Sequence, residues 1–412
     1  MHSKKKRIFA IIVFVYLVSI ILALYSGIKF KEDIKFLVKD IRSYFLEDGK
    51  DFYFYAGLNN YSADVNKFDL KEYSSIQQEI KKANFSPVIT GSYVDNKGIW
   101  FSLSTGKFYF LNKYTKNLKE VVNFAEVLND FHFSRFDRGL RGFVFIEESK
   151  LAVFYSGKNK IQNYTKVALF DLDKNSILDE KVLANLPLNY GGLGGGMSFD
   201  KYNKNLFLAH GVASNKGLEM KANLASQEEN NFLGKVIQIK LSSNLNKIES
   251  KIQYAKGLRN PQGLTLLNGN IYTIEHGPKG GDEINLINYQ KNYGWPYFSY
   301  GTEYEPPYKK FGSRKSDFVE PIWHFTPSVA PGGLEACSEF FSDIGYQPCL
   351  LVAQMRGLGF SIIKLSPDGD YVQSEEKISV GSRVRKISVF GSSIFLFTDN
   401  HEIFEVKYSP MQ

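Results

Sequence analysis

Residues 257–301 read GLRNPQGLTLLNGNIYTIEHGPKGGDEINLINYQKNYGWPYFSYG and hold most of the side chains whose types and spacing could do chemistry. Arg259, Asn260 and Gln262 bunch polar groups around Pro261, directly ahead of an apolar run at 264–267, which predicts a loop leading into a strand. The Asn268-Gly269 pair turns the chain into a second apolar run at 271–274, so the two runs form a β-hairpin. Its far end delivers Glu275 and His276 into the glycine-rich turn GPKGGDE. Glycines permit positive φ and leave main-chain carbonyls uncovered. Followed by Asp282 and Glu283, such a turn offers hard oxygen donors of the kind calcium takes. A solvated hairpin tip built of ordinary turn residues fits the same spacing. Further along, Arg383 and Arg385 would display two guanidinium groups on one face of a strand, a common surface pattern.

The rest of the chain must position these groups. With 412 residues, 43% hydrophobic, 15% aromatic and 23% charged, it can bury a large core and is not a disordered sequence. From residue 51 onward it consists of short β-branched and aromatic segments broken by Gly, Asn, Asp and Lys, for example 99–103, 107–111, 151–155, 166–172, 206–209, 235–241, 362–365 and 394–397. Only 73–83 reads as a short helix in this region. Many short strands at regular spacing mean a sandwich, barrel or propeller. No repeat is legible residue by residue, although six blades of about 60 residues would use the length comfortably.

Ahead of this region, Lys4, Lys5, Lys6 and Arg7 precede an uncharged apolar run at 8–26, long enough for one membrane-spanning helix. The positive-inside rule then predicts a domain 1–27 of cytoplasmic tail and anchor, with the following chain exported; a cleaved signal sequence is the competing reading. Residues 28–50 would be an amphipathic stalk helix, packed on the domain or lying on the membrane surface, and 51–412 the β domain. The net charge of +8 is partly local to the N-terminus, and no basic stripe with interleaved aromatics suggests nucleic acid. Cys337 and Cys349, the only two cysteines, could close a disulfide in an oxidising compartment or remain two buried thiols.

RNPQG, EHGPKGGDEIN and KNYGWP, in that order, resemble the signature of the glucose/sorbosone dehydrogenase family, whose soluble quinoprotein and aldose sugar dehydrogenases use pyrroloquinoline quinone (PQQ). Weaker matches extend over 138–406: RGLRGFV, QEENNFLGK, PSVAPGGL, Met355-Arg356-Gly357, Arg383-Val384-Arg385 and Thr398-Asp399. The resemblance implies an all-β, six-bladed β-propeller with PQQ and calcium at its mouth. It assigns Gln227, Arg259, Asn260, His276, Asp282, Arg356, Arg383 and Arg385 to the cofactor, and the carbonyls of Gly277 and Pro278 to calcium. PQQ is a tricarboxylate, and a planar five-donor cation grips carboxylate bidentately where lysine cannot. A sugar or polyol and an electron acceptor are the implied partners.

One departure bears on catalysis. The family's general base is a histidine in a His-x-Gly-Gly strand start, whereas this chain has NYGGLGGGMSFD at 189–200. Alignment back from Phe199 puts Gly192 at that place, and alignment on the first Gly-Gly puts Asn189 there; neither takes a proton near neutral pH. The Gly-Asp that the family carries after the following strand is Gly211-Val212 here. His210 and His276 are the candidate substitutes, with Arg259 beside the reacting edge, although either histidine could be structural. Two readings stay open: an exported, membrane-tethered PQQ-dependent sugar dehydrogenase, and a propeller that lost its base and binds a glycan or a protein.

Overall fold

A computed structural model describes residues 61–412 apart from 83–86, 135–137, 187–192, 213–222, 305–309, 313–315, 344, 346–347 and 411–412. The described strands form six four-stranded antiparallel sheets. Five are built from consecutive strands: Ile89–Val94 through Leu118–Asn123, Leu140–Glu147 through Ser176–Leu186, Gly194–Asp200 through Ile248–Lys256, Pro261–Leu267 through Trp323–Phe325, and Pro331–Ala336 through Val372–Ser379. The sixth takes Val384–Phe390, Ser393–Thr398 and Glu402–Pro410 from the C-terminal end and completes itself with Tyr61–Asp69, paired antiparallel to Glu402–Pro410. That pairing clasps the ring shut. The first strand of each sheet packs against the first strands of the sheets on either side, which closes a six-bladed β-propeller around an axis.

Burial follows the radial position of each strand. Lys150–Lys158, second in its blade, is buried at seven successive positions because both of its faces meet neighbouring blades. Val372–Ser379, an outermost strand, is open to solvent along most of its length, with only Ile378 buried, and carries Glu375, Glu376 and Lys377. The core is divided accordingly into six principal apolar clusters, one between each pair of neighbouring blades. Between the first two blades the packing is aromatic, with Phe108 edge-on to Phe143 and Phe124 edge-on to Phe170. The expected helix at 73–83 is present as Ser74–Lys82. Cys337 and Cys349 form a disulfide with a Cα separation of 5.5 Å.

A repeat that the sequence concealed emerges from the registers. Every innermost strand slips its pairing between its first and third residues: Ile89/Gly91, Leu140/Gly142, Gly194/Gly196, Pro261/Gly263, Pro331/Gly333 and Val384/Lys386. This bulge at the start of each blade turns the second residue out of the ladder at one end of the axis. Glycine is needed after it because the strands converge there. A Cβ on Gly196 would stand 2.4 Å from the Gly263 carbonyl carbon, and one on Gly263 would stand 2.4 Å from the Leu334 nitrogen.

The expected arrangement of a propeller behind a membrane helix is corrected to the propeller itself. Among the described residues no helix is long and apolar enough to cross a membrane. The run at 8–26 and the stretch at 28–50 lie outside the described residues. The membrane as a partner and a membrane-anchored location are not carried further.

Candidate active site

The bulged strand starts share one end of the ring with the loops that join second to third strands. Backbone bonds tie the two sets together: Met355 donates to the Ala330 carbonyl at 3.0 Å and Asp399 to the Arg383 carbonyl at 2.9 Å. This end is the mouth in which the sequence-predicted residues gather.

Glu275 anchors the RNPQG segment. One of its oxygens accepts from the backbone nitrogens of Arg259 (2.6 Å) and Asn260 (3.1 Å), and the other accepts from the Asn285 amide at 3.1 Å. Burial pushes its pKa up to about 7 against these three donors. Burial, and then the neighbouring Glu275, push the Glu283 carboxyl well above its ordinary pKa. Arg259 is buried, donates to the carbonyls of His276 (2.9 Å) and Gly277 (2.8 Å), and stacks over Trp295 at 5.2 Å. Asn260 accepts from Gln262 Nε2 at 2.7 Å, which fixes its amide at the rim. The expected loop is therefore shorter than read, since Pro261 and Gln262 already belong to the strand Pro261–Leu267.

Asp282 stabilises the glycine turn from within. Oδ1 accepts from Gly277 N at 3.1 Å, and Oδ2 accepts from Ser328 and from the backbone nitrogens of Val329 (2.9 Å) and Ala330 (2.8 Å). It thus joins the fourth blade to the start of the fifth rather than presenting a free carboxylate. His276 donates from Nε2 to the Pro331 carbonyl at 2.6 Å, leaving Nδ1 as its acceptor, and burial lowers its pKa to about 4. The carbonyls of Gly277 and Pro278 supply at most two of the six to eight oxygens calcium takes, and Gly277 already accepts from Arg259. Among the described residues no group of three or more His, Cys, Asp or Glu side chains could hold a metal. Calcium would therefore fit this turn only with most of its ligands supplied by a bound molecule and water.

Arg383 and Arg385 converge on one carboxylate. Arg383 Nε donates to Asp399 Oδ2 at 2.9 Å, and Arg385 reaches both oxygens, with Nη2 to Oδ2 at 3.1 Å. Burial alone would raise the Asp399 pKa, but the two guanidinium groups outweigh it and hold the carboxyl below its usual range. The pair is thereby oriented before any ligand arrives, and Arg383 remains half exposed. Arg356 is exposed on the turn after Cys349–Gln354, its backbone nitrogen held by the Val329 carbonyl at 2.9 Å. Three arginines with one carboxylate among them form a donor set that suits a planar polycarboxylate such as PQQ.

Two sequence-predicted residues are placed elsewhere. His210 is fully buried; Nδ1 donates to the Gly211 carbonyl and Nε2 accepts from Thr165 Oγ1, both at 2.8 Å, and burial lowers its pKa to about 4. With both nitrogens occupied and no exposure, it cannot take a substrate proton. Gln227 spends its amide on Trp295 O and on Asn292, whose Nδ2 donates back at 2.7 Å, so it braces the KNYGWP loop. Positions 189 and 192, where the family histidine would fall, lie outside the described residues. Glu275 and Asp399 were missed as working groups; each stood inside a quoted motif, but only folding brings their partners to them.

The sequence matches the glucose / sorbosone dehydrogenase family over residues 96–403. It is 29% identical over 235 residues to the quinoprotein glucose dehydrogenase B of Acinetobacter calcoaceticus, covering 49% of this chain and 48% of that one. It is 29% identical over 167 residues to the aldose sugar dehydrogenase YliI of Escherichia coli, covering 38% and 43%. An uncharacterized protein of Synechocystis is 28% identical over 261 residues, 58% of this chain and 62% of its own. The chain thus spans between two fifths and two thirds of these relatives' lengths. The apo-form of the soluble Escherichia coli aldose sugar dehydrogenase shares the fold with a TM-score of 0.64 at 22% identity over 84% of this chain and all of that one. The PQQ-bound form of the Streptomyces coelicolor aldose sugar dehydrogenase gives 0.59 at 19% identity, over 84% and 99%. With the family matched across most of its length and the propeller in place, this chain belongs to the glucose/sorbosone dehydrogenase family.

Proposed function

We propose that this protein is a PQQ-dependent oxidoreductase that converts a hydroxyl of a sugar or related alcohol to a carbonyl and passes the electrons to an acceptor. The observation that carries the reading is the arginine pair pre-oriented by Asp399 at the mouth that also holds Asn260 and His276. Relatives named as an aldose sugar dehydrogenase and a quinoprotein glucose dehydrogenase support it. When bound, PQQ would supply the two-electron acceptor. Arg383, Arg385 and Arg356 would grip its carboxylates, and Asn260 would meet its reactive edge on a backbone fixed by Glu275. The hydroxyl proton must leave as the adjoining carbon is oxidised. His276 Nδ1 is the acceptor nitrogen left open at the mouth, a weak base because burial keeps its imidazole neutral. Calcium would join through Gly277 and Pro278 only once the cofactor is bound, since those carbonyls alone cannot complete its shell. The Cys337–Cys349 disulfide supports an oxidising compartment.

The closed environment of His210 favours a second reading, a propeller that binds a glycan or protein without turning it over. Titrating the full chain with PQQ and following the quinone absorbance tests the first. Saturable binding weakened in Arg385→Ala is the expected result. No binding by the wild type would leave only the second.

A further inference from the structure

The six-fold bulge repeat isolates one residue. The third position of the innermost strand is Gly91, Gly142, Gly196, Gly263 and Gly333 in five blades and Lys386 in the sixth. The lysine stem runs beside the neighbouring blade: a Cβ on Gly333 would lie 3.5 Å from Lys386 Cδ, ordinary van der Waals contact. Lys386 is partly buried, and its Nζ donates to the Gln262 carbonyl at 3.0 Å, two blades away across the ring. Gln262 in turn bonds Asn260 through its side chain. The ammonium is therefore bonded to the strand two residues past Asn260, the rim residue that would face the reacting edge.

A second cation lies on the same floor. Arg141 fills the bulge position of the second blade and donates from Nη2 to the Gly194 carbonyl at 2.8 Å. Gly194 packs against the fourth blade, where a Cβ on it would stand 2.7 Å from the Pro261 carbonyl oxygen. The carbonyls of residues 194 and 262 are thus claimed by guanidinium and ammonium on either side of the RNPQG strand. Among the described residues no carboxylate forms an ion pair with Lys386. Burial chiefly, with Arg141 and Arg385 adding to it, lowers its pKa to about 7. Glu335, two residues beyond Gly333, does not cancel this charge, because burial raises its pKa to about 8 and it stays largely protonated at neutral pH. An ammonium with three donors has two left after Gln262, and an arriving anion would both use them and keep the nitrogen charged.

We propose that Lys386 and Arg141 form an anion subsite on the floor of the mouth, and that the molecule it takes is an acidic sugar bearing a carboxylate or a phosphate in preference to a neutral aldose. Calling that sugar a substrate rests on the dehydrogenase reading above; the subsite itself does not. The subsite draws the ligand in by charge and turns its anionic end toward the axis, which leaves a hydroxyl-bearing carbon near Asn260.

The test is calorimetric titration of the full chain, cofactor-free and PQQ-loaded, with gluconate, glucose 6-phosphate and glucose. At least one acid should bind ten-fold or more tightly than glucose, more weakly as salt rises, and the two acids distinguish carboxylate from phosphate. Lys386→Gly, which restores the glycine of the other blades, and Arg141→Leu should each weaken acid binding at least ten-fold without changing glucose binding. Lys386→Arg, which keeps the charge should the glycine variant not fold, should retain the preference. Equal affinity for glucose and both acids, or acid binding untouched in Lys386→Gly and Arg141→Leu, overturns the proposal. So does a Lys386→Gly protein that loses PQQ but keeps its acidic sugar, which would hand the cations to the cofactor. Acid binding without any PQQ binding keeps the subsite and removes the dehydrogenase reading; PQQ-dependent oxidation of glucose with no preference for acids does the reverse.

Discussion

Replacing Glu275 by leucine should damage the fold of the mouth far more than replacing it by glutamine, although both remove the charge. The carboxylate serves two buried backbone nitrogens, Arg259 N and Asn260 N, through one oxygen, and the Asn285 amide through the other. Leucine orphans both backbone donors. At about 1–3 kcal/mol for each buried unsatisfied group, the loss should be about 2–6 kcal/mol. Glutamine keeps an oxygen for the backbone pair and presents its NH2 to Asn285, whose Oδ1 has no partner and can turn to accept it. Its cost at neutral pH should be under about 1 kcal/mol. The pH dependence carries the second half of the prediction. The folded pKa of Glu275 is raised from 4.5 to about 7, so the native state binds the extra proton between those values. Stability from this group is therefore full below pH 4.5 and is lost as pH rises through 7, at ~1.4 kcal/mol per pH unit or about 3 kcal/mol in all. Glutamine has no such loss, so the mutant should show a shallower decline and gain on the wild type between pH 4.5 and 7. Urea denaturation followed by tryptophan fluorescence between pH 4.5 and 8 measures both effects. A leucine variant as stable as the wild type, or a glutamine variant with an unchanged pH slope, would refute the role assigned to Glu275.

Other consequences can be checked separately. Alanine at Arg383 or Arg385 should weaken PQQ binding by about 1.5–3 kcal/mol, the range for charge-assisted hydrogen bonds, measured by absorbance titration; unchanged affinity in both would remove the clamp. Without PQQ, the melting temperature should be indifferent to chelator and to added calcium, and with PQQ it should become sensitive; a calcium effect on the cofactor-free protein would contradict the incomplete donor set at Gly277 and Pro278. Breaking the Cys337–Cys349 bridge by Cys349→Ser, with its 12-residue separation, should cost about 3 kcal/mol, read by the same denaturation assay. Sugar oxidation, where it occurs, should survive His210→Gln, because both imidazole nitrogens are committed within the fold; loss of turnover with the melting temperature unchanged would restore His210 as a base.

Local signals carried far in this sequence. The Asn268-Gly269 turn, with φ of 52° and 81°, and the apolar runs beside it fixed the hairpin Pro261–Leu267 and Asn270–Glu275 without help from the rest of the chain. Strands such as Ile99–Leu103 and Lys235–Leu241 were legible because β-branched and aromatic residues end abruptly at turn residues. The six-fold bulge was not legible. Its only sequence mark is one glycine per blade, at intervals that loops of unequal length make irregular, and the sixth blade replaces even that with Lys386. Site roles failed where the deciding partner comes from another blade. His210 looked available because nothing in its own strand shows Thr165 closing over Nε2 from the second blade. Asp282 looked like a ligand because its four donors come from the turn and from 328–330, and Asp399 looked incidental until two arginines met on it.

The central claim is that this mouth runs PQQ chemistry, and stopped-flow reduction of the PQQ-loaded full chain tests it most directly. Mixed anaerobically with a panel of neutral sugars, acidic sugars and polyols, the bound quinone should bleach with at least one of them in a saturable manner and faster than free PQQ under the same conditions. A PQQ-loaded protein whose quinone absorbance stays constant across the panel, or bleaches no faster than free PQQ, would contradict the claim and leave a propeller that binds without oxidising.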